Sequence, residues 1–166
     1  MKTATAKKSN KRVEDLKVRG FFRLNIVNPD GSIAGDTGWE ENQVVNTGFQ
    51  AFLQLLVAGS AGSLRASHAA LGTGTVPATN ATTLNGELTE SAGRCALTTG
   101  TTGSTAVNYT FTLNSGVISA ASTIQNVGLF SGSTQAGGTM FAGKTYATSA
   151  LATNQAVNGT YNITFQ

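Results

Sequence analysis

From Val107 to Leu113 the chain reads Val-Asn-Tyr-Thr-Phe-Thr-Leu, with an apolar side chain at every second position and an amide or hydroxyl between. The pattern returns at the far end, where Tyr161, Ile163 and Phe165 alternate with Thr160, Asn162 and Thr164. Successive side chains of an extended chain point to opposite sides, so a period of two belongs to a strand with one dry face and one wet face. A helix would scatter the same residues around its axis. A strand at 160–165 must also be paired and covered, because an unpaired tail has no use for three large apolar groups at this spacing. The Val107–Leu113 segment offers a matching inner face, so the last strand is expected to complete the chain's own sheet rather than a neighbour's.

The rest of the chain extends this reading. Phe22, Leu24 and Ile26 alternate with Arg23 and Asn25, which predicts another strand. Asn28-Pro29-Asp30-Gly31 follows; Pro presets φ at the first turn position and Gly accepts a positive φ, so a tight reversal into a short strand at 32–34 is expected. Further extended segments are predicted at 39–45, 67–71, 94–99, 124–130 and 139–146, separated by Gly, Ser and Asn clusters. One helix opens at Asn46, which can cap it. Phe49, Phe52, Leu53 and Leu56 then fall at helical spacing before Gly59, a stripe expected to pack against the core. At 166 residues the chain has room for one core. The expected architecture is all-β: an antiparallel β-sandwich or jelly-roll-like body of seven to nine strands, residues 20–166, with one short helix near 47–58 and an extended N-terminal arm, residues 1–19. No repeat of solenoid or propeller length is visible.

Charge separates arm from body. Only 11% of residues are ionic, against roughly a quarter in ordinary soluble domains. Residues 1–23 hold eight of the eleven basic side chains and two acids, a net of +6, while residues 24–166 hold three basic and six acidic groups, a net of −3. From Cys95 to Gln166 the single ionic side chain is Lys144, so little repulsion keeps copies of the body apart. That suits a subunit held within an assembly, as a homo-oligomer or in many copies. The arm's Lys2, Lys7, Lys8, Lys11, Arg12, Lys17 and Arg19 are the candidate partner-binding residues. An acidic neighbouring subunit, a nucleic-acid backbone and plain solvent are all compatible with them. The neighbour is favoured; no aromatic residue precedes Phe21, so base stacking has no platform. The first residues lack the apolar stretch of a secretory signal, no run is long enough for a membrane span, and no membrane association is expected.

Candidates for chemistry are few. Gly72 and Gly74 follow a short apolar run in the manner of a phosphate loop. However, no helix start or Lys follows them, and Pro77 favours extended chain, so a strand end feeding a surface loop is expected. His68 is the sole histidine and stands in no metal-ligand spacing. A hydrolytic triad would need it beside a nucleophile and an acid. Cys95, next to Arg94, reads as a structural thiol. Glu87 and Glu90 could pair as carboxylates, with a solvated acidic loop preferred. Trp39, the single tryptophan, is read as a core anchor in preference to a sugar-stacking platform. No catalytic residue, cofactor or metal site is assigned, and no enzymatic activity is expected.

Several short motifs occur in a telling order: Asn46-x-Gly48 at the helix start, Ala69 with Gly72-Thr73-Gly74-Thr75, Leu84 and Glu87, Asn126-Val127-Gly128-Leu129-Phe130, Gly137-Gly138-Thr139-Met140-Phe141-Ala142, and the terminal Tyr161-x-Ile163-x-Phe165. Over residues 20–166 this order resembles a diffuse group of small, β-rich structural proteins of tailed bacteriophages, tail-fibre-like or capsid-associated. Asn126 stands where the group usually has a charged residue, and the basic arm is no part of its pattern. The resemblance implies a virion location, with assembly in the host cytoplasm and major capsid, neck or tail subunits as partners. Capsid decoration or a minor capsid role is the first expectation, fibre anchoring at tail or neck the second. A carbohydrate-binding module is the alternative of another class; it requires Trp39 and tyrosines to line an exposed groove.

Overall fold

The computed structural model describes residues 17–58, 65–88, 94–102, 106–135 and 137–165. Ten strands and one helix occur among them: β1 (Val18–Val27), β2 (Ile33–Asp36), β3 (Glu40–Val44), α1 (Asn46–Ala58), β4 (His68–Gly72), β5 (Cys95–Ala96), β6 (Thr98–Thr102), β7 (Ala106–Leu113), β8 (Ser122–Phe130), β9 (Met140–Leu151) and β10 (Ala156–Phe165). Every strand pairing among the described residues is antiparallel. The strands run β5-β4-β8-β9-β3-β1-β10-β7-β6, with β2 added to β1. Two sheets face one another and share β3, which pairs with β1 through Glu40–Asn42 and with β9 through Gln43 and Val44. At the opposite side β5 and β6 follow one another with Leu97 alone between them. The two sheets thus form one nearly closed, flattened barrel.

The C-terminal strand is central. β10 pairs with β1 over ten residues, from Val18↔Phe165 to Val27↔Ala156, and on its other side with β7, from Val157↔Leu113 to Thr164↔Ala106. Val157, Tyr161 and Ile163 point into the interior with Phe22, Leu24, Ile26, Phe111 and Leu113. From the other sheet Leu71, Ile124, Val127, Leu129 and Tyr146 complete the core. The expected turn is present: Gly31 has φ +85° and donates its N–H to Asn28 O at 2.9 Å.

β8 departs from alternation because both of its faces are covered. Ile124, Val127 and Leu129 enter the barrel, whereas Phe130 joins Val45, Ala70, Leu84 and Met140 in a small second core on the outside of the sheet. The register shift between Ile124 and Asn126 marks a bulge that lets Ile124 face inward and Asn126 outward. Such double coverage reads in the sequence as a continuous apolar run.

Two expectations need correction here. Residues 94–99 do not form one strand, since β5 pairs with β4 in one sheet and β6 with β7 in the other. The chain changes sheets at Leu97, a corner that a period-two pattern cannot express. Nor does α1 bury its expected stripe. Phe49 is 44% and Leu53 61% exposed, while Ala51 is buried and Phe52 packs edge-on against Phe165. Small residues decide this face. A Cβ on Gly48 would collide with the carbonyl of Phe141, so the helix approaches β9 through its Gly48 and Ala51 side. The Leu56 side chain and Gly59 lie outside the described residues.

A second close approach joins β10 to β7. A Cβ on Gly159 would run into the ring of Phe111, its cross-strand partner, which covers the glycine. Gly159→Ala is expected to destabilise the fold by about 1–3 kcal/mol through overpacking. Urea denaturation of this variant alone and combined with Phe111→Leu checks it, since the smaller partner should recover most of the loss.

Candidate functional site

β4 ends at Gly72, where the chain leaves the sheet and returns through residues 85–87. The neck of this excursion is a short antiparallel ladder. Gly72 bridges Glu87, the Thr73 N–H donates to Gly86 O at 2.9 Å, the Gly74 N–H to Asn85 O at 3.1 Å, and the Leu88 N–H to Leu71 O at 2.9 Å. Beneath it lies the fully buried amide of Asn126. Its Nδ2 donates to the carbonyls of Gly74 at 3.1 Å and Asn85 at 2.8 Å, which uses both of its hydrogens. Gln125 Nε2 donates to Thr73 O at 2.6 Å. A Cβ on Gly72 would strike Asn126 Oδ1, and one on Gly74 would strike Asn85. Leu84 then pins the far end of the loop into the second core. A phosphate loop presents N–H groups to its ligand. Those of Thr73 and Gly74 are committed to the chain's own carbonyls, so the paired glycines serve close packing of the neck.

A buried ion pair follows directly. The Glu87 carboxylate receives Arg94 Nε at 2.6 Å and Nη2 at 2.9 Å, and the two side chains are only 5% and 2% exposed. Arg94 Nη1 donates to Gly137 O at 2.7 Å and Gly132 O at 3.2 Å, while the guanidinium lies 3.5 Å over the Phe130 ring. One side chain therefore ties the loop neck to the 131–138 turn and satisfies its donors there. Glu87 forms neither the carboxylate pair nor the preferred solvated acidic loop, because its carboxylate is buried against Arg94; Glu90 lies outside the described residues. Cys95 is buried beside an Arg94 whose charge already belongs to Glu87.

His68 stands at the start of β4, opposite Ala96 and Phe130. Its Nδ1 is 2.8 Å from Ser67 Oγ, which donates to Ser131 O at 2.9 Å. A hydroxyl has one proton, so with that proton on Ser131 the imidazole is the donor to Ser67. This is the reverse of the direction in which a histidine activates a serine. Desolvation first, and the nearby Arg94 charge second, lower the His68 pKa from its ordinary value. Among the described residues no group of three His, Cys, Asp or Glu side chains is placed to hold a metal ion.

The outward face of the β6-β7-β10-β1 sheet differs in kind. Register places Thr98, Thr110, Thr160 and Arg23 in one row and Asn108, Asn162, Phe21 and Glu41 in the next. Amides and hydroxyls bond across the strands, as from Thr112 Oγ1 to Asn158 Oδ1 at 2.9 Å and between the side chains of Asn162 and Asn108. The cations on β1 are paired: Arg19 Nε donates to Glu41 at 2.9 Å, and Arg23 Nε to Asp36 at 2.9 Å. Arg23, with the Gly38 N–H, holds the Asp36 carboxyl well below the usual carboxylate range. Arg19, counted from sequence in a free arm, is thus a residue of β1, and the sheet begins two residues earlier than expected. Lys17 is exposed just ahead of it. Lys2, Lys7, Lys8, Lys11 and Arg12 lie outside the described residues.

Trp39 overturns its expected role. It is 54% exposed and, with Phe21 and Asn162, lines a cleft of about 280 Å³ on this outer face. It precedes β3 on a turn where Gly38 has φ +70°, so it escapes the strand's buried side. The tyrosines do not join it: Tyr146 and Tyr161 are buried, and Tyr109 packs against Tyr161 within the barrel. Sequence reading missed the Arg94–Glu87 pair and the Asn126 clamp. The one hint of both was the presence of polar residues within largely uncharged, apolar stretches. No family model matches the chain, and no curated protein or solved structure matches it.

Asn126→Asp would set a carboxylate against the carbonyls of Gly74 and Asn85. A cost of about 3–5 kcal/mol is expected at neutral pH, as for other uncompensated buried charges. Burial raises that new carboxyl above its unfolded value near 3.9, so the variant's deficit should be smallest below about pH 4 and grow as pH rises through the folded pKa. Paired denaturation curves of wild type and variant across pH read the difference directly.

His68 has the opposite sign. Its folded pKa lies below the unfolded value near 6.5, so its contribution is complete above that pH and is lost as pH falls and the unfolded chain takes up the proton. His68→Gln should flatten the wild-type stability decline between neutral and mildly acid pH. A thermal-melt series over that range checks it.

Proposed function

We propose that this chain is a non-enzymatic structural subunit of a tailed-bacteriophage particle, first a capsid decoration or minor capsid protein and second a fibre-anchoring protein of tail or neck. The observation that carries the reading is the join between basic segment and body. Lys17 leads directly into β1, which is bonded along its full length to β10 and on its other edge to β2 and β3. Tension on the N-terminal segment would fall on hydrogen bonds loaded together along two or more strands. That is the mechanical requirement of a tether. The order of the sequence motifs supports the same assignment.

The groups with chemical potential support it as well. Arg94, Glu87 and Ser67 spend their polar atoms on the chain's own backbone, on His68 or on each other, and Asn126 spends both of its N–H hydrogens on backbone carbonyls. What faces outward is hydroxyl, amide and isolated apolar surface: Phe49 and Leu53 on α1, Ile33 on β2, Val76 on the loop. Such surface suits contact with neighbours. Partners are other virion proteins, met in many copies.

Sedimentation of purified particles with the full chain and with a variant lacking residues 1–16 tests this. The full chain should co-sediment at low salt and be released as ionic strength approaches 1 M, where the screening length falls to about 3 Å. The shortened chain, folded by circular dichroism, should remain in the supernatant. Equal sedimentation of both, or absence of the chain from particles, would refute the assignment. Antibody labelling at the neck or tail would select fibre anchoring over decoration.

A further inference from the structure

We infer that the cleft between Trp39, Phe21 and Asn162 is a binding site for a neutral saccharide, a hexose or N-acetylhexosamine unit of an oligosaccharide. This does not depend on the virion reading. Trp39 is more than half exposed, and Phe21, itself half-buried on the same sheet face, stands beside it, so two aromatic rings border one patch of open surface. The negative faces of two aromatic rings attract the weakly positive C–H side of a pyranose ring. The cleft is a shallow, open depression of about 280 Å³, a shape that suits a sugar ring laid against the aromatic rings.

The rim decides between neutral and charged ligands. Asn162 brings an amide to the cleft; its Nδ2 donates one hydrogen to Asn108 and its Oδ1 accepts from Thr164 at 2.8 Å, so a sugar hydroxyl would use the second N–H hydrogen or the second oxygen lone pair. The cations of this face are already matched. Arg19 stacks on Phe21 at 5.9 Å but is held by Glu41, and Arg23 is held by Asp36. A nucleic acid would find aromatic surface here without uncommitted positive charge from β1 for its phosphates. A polyol needs stacking and hydrogen bonds without a counter-charge, and that is what the cleft offers. Trp39, exposed on a turn, could also be covered by the basic N-terminal segment, and the experiment separates that case.

Trp39 is the chain's single tryptophan, so its fluorescence reports on this cleft alone. The full chain is titrated with malto-, cello- and N-acetylglucosamine trisaccharides and, in parallel, applied to a glycan array. The expected result is a saturable change in emission with at least one neutral sugar. Trp39→Ala, folded by circular dichroism, should lose array binding, and Phe21→Ala should weaken it at least tenfold. Three outcomes would overturn the inference: no response to any neutral glycan, array binding undiminished in Trp39→Ala, or a response to an oligonucleotide alone. An emission maximum that moves with ionic strength and never with sugar would also overturn it, by showing that the basic segment occupies the cleft.

Discussion

The pairing of β1 with β10 is the constraint from which the rest of the molecule follows. These strands stand at opposite ends of the described chain, yet Val18 meets Phe165 and Val27 meets Ala156. Until they meet, β10 has no partner for its β1 edge, and β3 has no route by which to join the two sheets. A closed path of this kind depends on contacts far apart in sequence, which places the fold among the slowly forming β topologies. It also leaves the wall with few open edges, a useful property for a chain whose C-terminal portion has almost no charge to resist strand addition from its neighbours.

Closure alone would leave the long connections unattached. Two buried polar clusters hold them. Asn126 binds the neck of the 73–87 loop from below through neutral carbonyls, and Arg94 binds its far side and the 131–138 turn through Glu87 and two backbone oxygens. A buried ion pair contributes little net stability over an apolar substitute, because desolvation offsets the attraction. What it supplies here is a definite geometry: a planar fork with fixed donor directions lets the loop and the turn sit in one arrangement. The small core of Val45, Ala70, Leu84, Phe130 and Met140 then seals the outside of β4 and β8.

The consequence is a division between inside and outside that bears on function. Asn126, Arg94 and Glu87 are buried under the loops on the outside of β4 and β8, where Arg94 and Glu87 are bonded to each other and both N–H hydrogens of Asn126 to backbone carbonyls. The outer sheet face carries rows of threonine and asparagine, paired ions and one aromatic cleft. The proposed tether and the inferred saccharide site use different parts of this body, one the entry of β1 and the other its outer face. Both depend on the same strand, since Phe21 is held outward by the register that turns Phe22 into the core.

Much of the fold was legible in the residues themselves. Period-two patterns marked β1, β7 and β10, the Pro-Asp-Gly turn marked the first hairpin, and the spacing after Asn46 marked the helix, because each is a local property of neighbouring side chains and backbone angles. Tertiary structure alone decided the rest. It split residues 94–99 between two sheets, turned the helix onto Gly48 and Ala51, gave Glu87 to Arg94, set Asn126 under a loop some forty residues away, and left Trp39 outside. A local pattern tells which side of an element is apolar; what covers that side, and which buried polar group meets which partner, is settled by segments distant in sequence that approach only when the barrel closes.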